Sequence, residues 1–126
     1  MNNCLNCNKE INKTKKFCNN KCQQDYTYSQ YINRWLLGLE TGMRGKSQMS
    51  LHVRRYLFEK NNNSCEICGW NKINETTNKT PLEIHHIDGN HENNSIDNLQ
   101  LLCPNCHALT PTYKALNHGK GRKHRQ

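Results

Sequence analysis

The sequence predicts a small α+β protein whose apolar core is too small to stabilise it alone. The chain has 126 residues, enough for one ordinary domain or two very small ones. Only 33% of the residues are hydrophobic, and a chain of this length buries a modest share of its surface even with an average composition. The sequence also contains 8 cysteines and 7 histidines, so bonds other than apolar contacts are available to hold the fold together.

The cysteines form four close pairs, which suit a tetrahedral Zn²⁺ because both thiolates of a tight turn can face one ion. Disulfides are the alternative, but they seldom come as four such doublets, and in a reducing compartment zinc is favoured. Pairing by proximity predicts two structural Zn²⁺ sites, although an interleaved pairing stays open. The predicted ligand sets are Cys4, Cys7, Cys18 and Cys22 in the first site and Cys65, Cys68, Cys103 and Cys106 in the second.

The charge balance indicates a polyanionic partner. Lysine and arginine number 18 against 10 acidic residues, a formal net charge of +8. Such an excess favours nucleic acid but does not by itself exclude a membrane surface. The N-terminus has no apolar signal segment, and no stretch approaches the ~18 apolar residues of a membrane span. We therefore expect an intracellular, cytoplasmic protein with no membrane partner, a description that includes a viral protein acting inside its host cell.

The chain is expected to divide into four segments. Residues 26–60 have a helical pattern, since apolar residues recur at three- and four-residue steps and Gly38 and Gly42 follow as helix-ending positions. The stripe comprises Tyr28, Tyr31, Ile32, Trp35, Leu36 and Leu39. The predicted segments are a Cys4 zinc-binding module at 1–25, a helical linker region at 26–60, a domain at 61–113 that contains the second cysteine group, and a basic tail at 114–126.

A second, shorter helix is predicted after a polar linker that runs from Met43 to Ser50. Ser50 is a good N-cap for a helix that starts at Leu51 and carries further apolar residues at helical spacing. Arg54 and Arg55 are the candidates for DNA contact on its polar face.

The sequence of the second metal module predicts four elements in the order strand, loop, strand, helix. Residues 82–87 alternate as a strand does, Asp88-Gly89-Asn90 is a turn signal, and 91–97 are expected to be loop. Residues 98–102 predict the second strand, and Pro104 is well placed to begin a helix that carries Cys106 and His107.

Two features of this module are not needed by a structural zinc site. One is the tandem His85-His86 at a strand end, and the other is His107 directly after the last cysteine. Because successive strand residues point to opposite faces, one histidine of the tandem can bind a metal while its neighbour faces a substrate. His107, on the following helix, can return to the same metal.

The residues from Leu82 to Asn90, together with Asn98 to His107, resemble the HNH endonuclease motif. The resemblance covers about Cys65 to His107 and is to the subtype with a CxxC…CxxC zinc site, found in phage and homing nucleases. It implies a ββα-metal fold related to treble-clef zinc fingers, here preceded by helices and an N-terminal Cys4 zinc knuckle. The knuckle around Cys18 and Cys22 is similar to short modules that precede HNH domains.

The resemblance assigns roles residue by residue. His85 matches a metal-ligand position, His86 the general base, Asn98 the middle asparagine that tethers the loop, and His107 a second metal ligand. Some relatives have another ligand four residues later, but here that position is Pro111, which cannot serve. One catalytic divalent metal is implied; the family commonly uses Mg²⁺, whereas imidazole ligands suit Mn²⁺, Ni²⁺ or Zn²⁺ better.

The leading hypothesis is a metal-dependent DNA endonuclease that leaves 5′-phosphate and 3′-hydroxyl ends. A non-catalytic zinc module that binds nucleic acid explains the charge and the cysteines but leaves the histidines and Asn98 as coincidences. A protein-interaction module leaves the basic excess without a use. The acid-free tail is expected to contact DNA phosphates through Lys114, Lys120, Arg122, Lys123 and Arg125.

Overall fold

The computed structural model describes residues 1–111, and the chain divides into two compact units. The first unit is Met1–Glu40, and the second begins at Thr41. The predicted contacts of the basic tail, from Lys114 to Arg125, lie outside the described residues. Within residues 1–111, no helix is long and apolar enough to cross a membrane.

The first unit is a short hairpin followed by a long helix. Strands β1 (Asn2–Asn3) and β2 (Glu10–Ile11) pair antiparallel, and helix α1 spans Asn20–Leu36. The helix begins earlier than its apolar stripe predicts, because Asn19 caps it: the Oδ1 atom of Asn19 accepts a hydrogen bond from the Cys22 N–H at 2.8 Å. Asn19 therefore fixes the start of α1 next to two of the predicted metal ligands.

Only part of the predicted stripe of α1 is buried. Ile32 and Trp35 form its buried face, whereas Leu36 and Leu39 are 44% and 70% exposed. The prediction for Leu39 was wrong because the helix ends before it: Leu37 is the C-cap, and Gly38 adopts a left-handed φ of 80° that turns the chain away. Leu36 occupies the last helical position, where the buried face no longer continues.

Up to residue 111, the second unit contains two hairpins, two α-helices and one short 3₁₀ helix. Its element order is β3 (Met43–Arg44), β4 (Gln48–Met49), α2 (Leu51–Lys60), β5 (Glu83–His86), a one-turn 3₁₀ helix (Ile96–Asn98), β6 (Leu99–Leu102) and α3 (Pro104–Ala108). The predicted polar linker between Met43 and Ser50 is thus a β-hairpin that reverses around Gly45, whose φ is 68°. Ser50 caps α2 as predicted, since its Oγ accepts from the His52 N–H at 3.2 Å.

Strands β5 and β6 are antiparallel, with His85 opposite Gln100 and His86 opposite Leu99. Asn98 was predicted in the second strand but closes the 3₁₀ helix instead, because its side chain is engaged by the preceding loop, as described below. Pro104 begins α3, as its fixed φ and missing N–H favour. This strand–loop–strand–helix unit brings His85 of β5 next to His107 of α3.

The core of the second unit lies around the second cysteine group. Leu101 and Leu102 are fully buried there, with Leu82, Cys65 and Cys103 around them and Phe58 of α2 packed against the cluster. The core is small, as the composition predicts, and two of its buried members are predicted metal ligands. Metal binding and apolar packing therefore stabilise the same part of the fold.

Candidate active site and metal centres

The eight cysteines lie in the two groups that their spacing predicts. In each group the four sulfur atoms all lie within 4.8 Å of one another. The Sγ atoms of Cys7 and Cys18 are 3.7 Å apart, and so are those of Cys68 and Cys103. A tetrahedral zinc with Zn–S bonds of about 2.3 Å separates its sulfurs by about 3.8 Å, whereas disulfide sulfurs are bonded at about 2.05 Å. The donor sets therefore fit two zinc sites, and the disulfide and interleaved alternatives do not describe the structure.

The first cysteine pair of each group forms the same turn. The Cys4 carbonyl accepts a hydrogen bond from the Asn8 N–H at 2.9 Å, and the Cys4 N–H donates one to the Lys9 carbonyl at 2.7 Å. Cys65 repeats both bonds with Gly69 and Trp70, each at 3.0 Å. The fifth position must adopt a left-handed backbone, with φ of 67° at Asn8 and 79° at Gly69, which Asn and Gly tolerate best.

The second pair of each group lies at the start of a helix. Cys22 is in the first turn of α1, and Cys103 caps α3, its Sγ accepting from the Cys106 N–H at 3.4 Å. The positive end of a helix dipole favours thiolate over thiol. Both metal centres are therefore built from one tight turn and one helix N-terminus.

The thiol pKa values show how these groups favour a cation. Burial raises the pKa of Cys65, but backbone N–H groups of Cys68, Cys103 and Ile67 outweigh it and lower the pKa to about 6. The hydrogen bond from Cys103 and burial raise the pKa of Cys106 to about 12. One thiolate thus forms readily, and its negative charge opposes the ionisation of the neighbouring thiols. A bound divalent cation compensates that charge, so that all four thiols can ionise.

The histidines of the motif lie on β5 and α3. His85 is buried, and its ring faces that of His107, with ring centroids 5.3 Å apart. Burial lowers the pKa of His85, with smaller contributions from His107 and His86 in the same direction. A neutral imidazole is the form that binds a metal, so the surroundings of His85 suit the ligand position that the family resemblance implies for it.

Glu83 holds the orientation of His107. Its Oε1 atom lies 2.6 Å from His107 Nδ1. Glu83 precedes His85 by two residues on β5, so both side chains lie on one face of the strand. In most metal-bound histidines a carboxylate or carbonyl bonded to one ring nitrogen fixes the orientation in which the other nitrogen binds the metal, and Glu83 is placed to do this for His107. Sequence reasoning missed Glu83, although its two-residue spacing from His85 was a signal.

His86 has a separate partner. Its Nε2 atom lies 2.6 Å from Oδ1 of Asn94, a residue buried in the loop between the strands. Since the Asn94 oxygen can only accept, Nε2 carries the hydrogen and Nδ1 keeps the lone pair. The Asn94 amide nitrogen lies 2.7 Å from the Met43 sulfur, which favours this orientation of the amide. Burial lowers the pKa of His86, although the hydrogen bond to Asn94 and the charge of Asp88 oppose that shift.

Asn98 ties together the loop that carries Asn94. Its Oδ1 accepts from the Asp88 N–H at 3.0 Å, and its Nδ2 donates to the Asp88 carboxylate at 3.0 Å and to the Asn93 carbonyl at 2.8 Å. Asp88 also accepts from Asn93 Nδ2 and from the Asn90 N–H. Burial raises the pKa of Asp88, but hydrogen bonds, the one from Asn93 foremost, lower it overall. Both carboxylate oxygens of Asp88 are thus engaged within the loop.

The basic residues predicted to contact DNA do not all lie in the described chain. Arg54 and Arg55 are on α2, outside the histidine cluster, where Arg55 pairs with Glu59 at 3.1 Å and Arg54 lies over the Phe58 ring. The structure therefore brings together His85, His86 and His107 and keeps the two arginines on a separate surface.

Comparison with known proteins identifies this arrangement. The family model described as HNH endonuclease matches residues 65–109. The chain is 40% identical to the H-N-H endonuclease F-TflIV of Escherichia phage T5 over 96 residues, which are 75% of this chain and 41% of that protein. It is 29% identical to the Zorya protein ZorE of Escherichia coli over 92 residues, 73% of this chain and 20% of that protein.

The chain thus spans about two fifths of the phage relative and one fifth of the bacterial one. No solved structure gives a significant match. The family match begins at the first cysteine of the second metal centre and ends just after His107, so it covers the whole ββα unit described above. Residues 65–109 of this chain are therefore a domain of the HNH endonuclease family.

Proposed function

We propose that this protein is a metal-dependent DNA endonuclease that hydrolyses phosphodiester bonds to 5′-phosphate and 3′-hydroxyl ends. The proposal rests on the way in which β5 places its polar side chains on two opposite faces. His85 and Glu83 lie on one face with His107 beside them, while His86 on the other face has its own partner in Asn94. A module that only bound zinc and nucleic acid would not need a pair of facing imidazoles on one side of the strand and a third, separately hydrogen-bonded imidazole on the other.

His86 is proposed as the general base. Its Nε2–H donates to Asn94, so the lone pair of Nδ1 can accept a proton from the attacking water. Burial lowers its pKa, which keeps the ring neutral and ready to accept that proton at neutral pH. Asn98 contributes indirectly, because it fixes the loop that carries Asn94.

His85 and His107 are proposed as the protein ligands of the catalytic ion. Burial in the strand holds the ring of His85, and the bond to Glu83 holds the ring of His107. A divalent ion bound there would supply charge stabilisation at the scissile phosphate and its leaving oxygen. We propose Mg²⁺ or Mn²⁺ as the working ion, with Ni²⁺ or Zn²⁺ as candidates that imidazole ligation also favours.

The two cysteine groups are proposed to hold structural Zn²⁺, and DNA is the proposed substrate. Zinc is supported by the sulfur spacing and by the all-thiolate donor set. DNA is supported by the net charge of +8 and by the similarity to the phage relative, an H-N-H endonuclease. The division of the chain into an N-terminal zinc module, a helical region, a nuclease domain and a basic tail remains part of this proposal.

Nicking of supercoiled plasmid in Mg²⁺ or Mn²⁺ tests the proposal. The wild type should nick, His86→Ala should lose about 10²–10⁴-fold in rate, and His52→Ala, a histidine of α2 outside the cluster, should nick at the wild-type rate. Absence of metal-dependent nicking by the wild type would favour the non-catalytic binding module. Wild-type rates in His86→Ala would show that another group is the base.

A further inference from the structure

A second site of different chemistry lies on the same unit, away from the histidines. It is a cleft with a volume of about 680 Å³ between helix α2 and the loop of residues 71–80. We call it the α2 cleft. Among the residues that the structure describes, no histidine and no predicted metal-binding cysteine lines it, and the volume falls within the range of small-molecule sites.

The α2 cleft is basic. Arg54, Arg55 and Lys79 line it, and no acidic residue of the described chain does. Arg55 is paired with Glu59, but within residues 1–111 no carboxylate pairs with Arg54 or Lys79. Arg54 is held in place by the Phe58 ring, with the guanidinium carbon 4.9 Å from the ring centroid. The cleft therefore presents a fixed guanidinium on one wall and an ammonium group on the other.

The rest of the lining is rich in side-chain amides. Four asparagines contribute to it, Asn62 and Asn63 from the turn after α2, and Asn71 and Asn78 from the facing loop. In the part of the chain that the structure describes, none of these four side-chain amides makes a hydrogen bond; the contacts of Asn62, Asn71 and Asn78 are made by backbone atoms. Each of these amides can therefore offer a ligand both an N–H donor and a carbonyl acceptor.

The apolar rim completes the pattern. Leu51 and Ile73, which line the cleft, are 59% and 62% exposed. A ligand that matches cations, paired amide groups and apolar edges together is a nucleotide, which has an anionic phosphate, a base with hydrogen-bonding edges and a sugar. Free phosphate would use the cations but not the amides or the rim.

We propose that the α2 cleft binds one nucleotide of the DNA strand, other than the nucleotide that is hydrolysed, and that its amides give the protein a base preference. Arg54 and Lys79 hold the phosphate, and Asn71 and Asn78 contact the base edge. Paired amide contacts are the usual means by which asparagine recognises adenine. This inference rests on the proposed function in one respect only, which is that DNA is the partner.

Equilibrium DNA binding tests phosphate binding by the cations of the cleft separately from base recognition by its amides. In a His86→Ala background, which keeps the DNA intact, a labelled duplex with randomised central base pairs is titrated at several salt concentrations. Arg54→Ala and Lys79→Ala should each weaken binding and flatten the salt slope by about 0.9. Lys60→Ala removes the same charge from an exposed position of α2 outside the cleft and should change neither quantity as much.

The amides are tested by sequencing the bound fraction of that pool. Asn71→Ala and Asn78→Gly, which keeps the left-handed backbone at φ 63°, should flatten a base preference that the wild type shows at one position by about tenfold. Asn33→Ala, an exposed amide of α1, serves as the control. Because Arg54 packs on Phe58 and its loss can disturb α2, zinc content and circular dichroism accompany each variant, and the exposed Lys79 provides an independent test.

The outcomes distinguish this inference from the proposed function. If the cleft variants bind like Lys60→Ala, with the same salt slope and the same bound sequences, the cleft is not a nucleotide site, even while the wild type nicks DNA. If phosphate contacts are lost but the bound sequences do not change, the base-reading part is wrong. If the wild type neither binds nor nicks DNA, the proposed function fails and the cleft proposal fails with it.

Discussion

The Nδ1 atom of His107 lies 2.6 Å from the Oε1 atom of Glu83, across the junction between the helix and the first strand of the ββα unit. The bond is partly exposed, with 21% of the His107 side chain and 44% of the Glu83 side chain accessible to solvent. Its value for stability is therefore small. The bond matters instead because it selects which nitrogen of His107 faces the metal position.

Replacement of Glu83 should weaken the catalytic metal site more than the fold. Glu83→Ala is expected to reduce affinity for Mn²⁺ by about 10–100-fold, because His107 loses the group that sets its orientation. Glu83→Gln keeps a hydrogen-bond acceptor and should lose less. Calorimetric titration of zinc-loaded protein with Mn²⁺ measures this, and Glu75→Gln, in the exposed 71–80 loop, is the control. Equal affinities in Glu83→Ala and Glu75→Gln would show that the bond has no role in metal binding.

Replacement of Asn94 should affect the base and leave the metal site intact. Asn94→Ala removes the acceptor that orients His86 Nε2–H, so kcat for plasmid nicking should fall, but by less than the ~10²–10⁴-fold expected when the imidazole itself is removed. The affinity for Mn²⁺ should stay at the wild-type value. A loss of Mn²⁺ affinity equal to that of Glu83→Ala would mean that Asn94 supports the whole cluster and not His86 alone.

Asn94 and Glu83 also show what the sequence could and could not predict. The strand–loop–strand–helix order and the cysteine grouping followed from short-range patterns: alternation, a turn signal, Pro104 at a helix start, and CxxC pairs. Glu83 could have been found from strand periodicity. Asn94 could not, because only the folded loop, which Asn98 ties to Asp88, brings it to His86 eight residues away. The Met43–Met49 hairpin was missed for a related reason, since its two-residue strands have too little alternation to recognise.

Asn98 should be important for stability as well as for activity. It is buried and makes three side-chain hydrogen bonds, to both the N–H and the carboxylate of Asp88 and to the Asn93 carbonyl. Asn98→Ala is expected to lower the free energy of unfolding by about 1–3 kcal/mol, because the three hydrogen bonds of a buried side chain are lost together. Asn98→Asp should be worse, since it places a second carboxylate against Asp88. Urea denaturation of zinc-loaded protein measures both, and Asn98→Asp at least as stable as Asn98→Ala would contradict the assigned bonds.

Metal content should show two independent zinc sites. We expect two tightly held Zn²⁺ per chain by elemental analysis, and one each in Cys7→Ser and Cys68→Ser, because each substitution removes a ligand from one group only. Cys68→Ser should also lower the unfolding midpoint sharply, since Cys65 and Cys103 of the same group are part of the apolar core. A single zinc in the wild type, or the loss of both ions in either variant, would contradict two separate centres.

The basic tail should contribute to DNA affinity without contributing to sequence preference. Deletion of residues 114–126 removes Lys114, Lys120, Arg122, Lys123 and Arg125. We expect weaker binding to every sequence in a randomised pool and a salt slope that is flatter by about 0.9 for each lost phosphate contact. A tail of equal length with serine at these five positions separates charge from chain length, and it should behave like the deletion. A wild-type salt slope in both variants would show that the tail does not contact DNA.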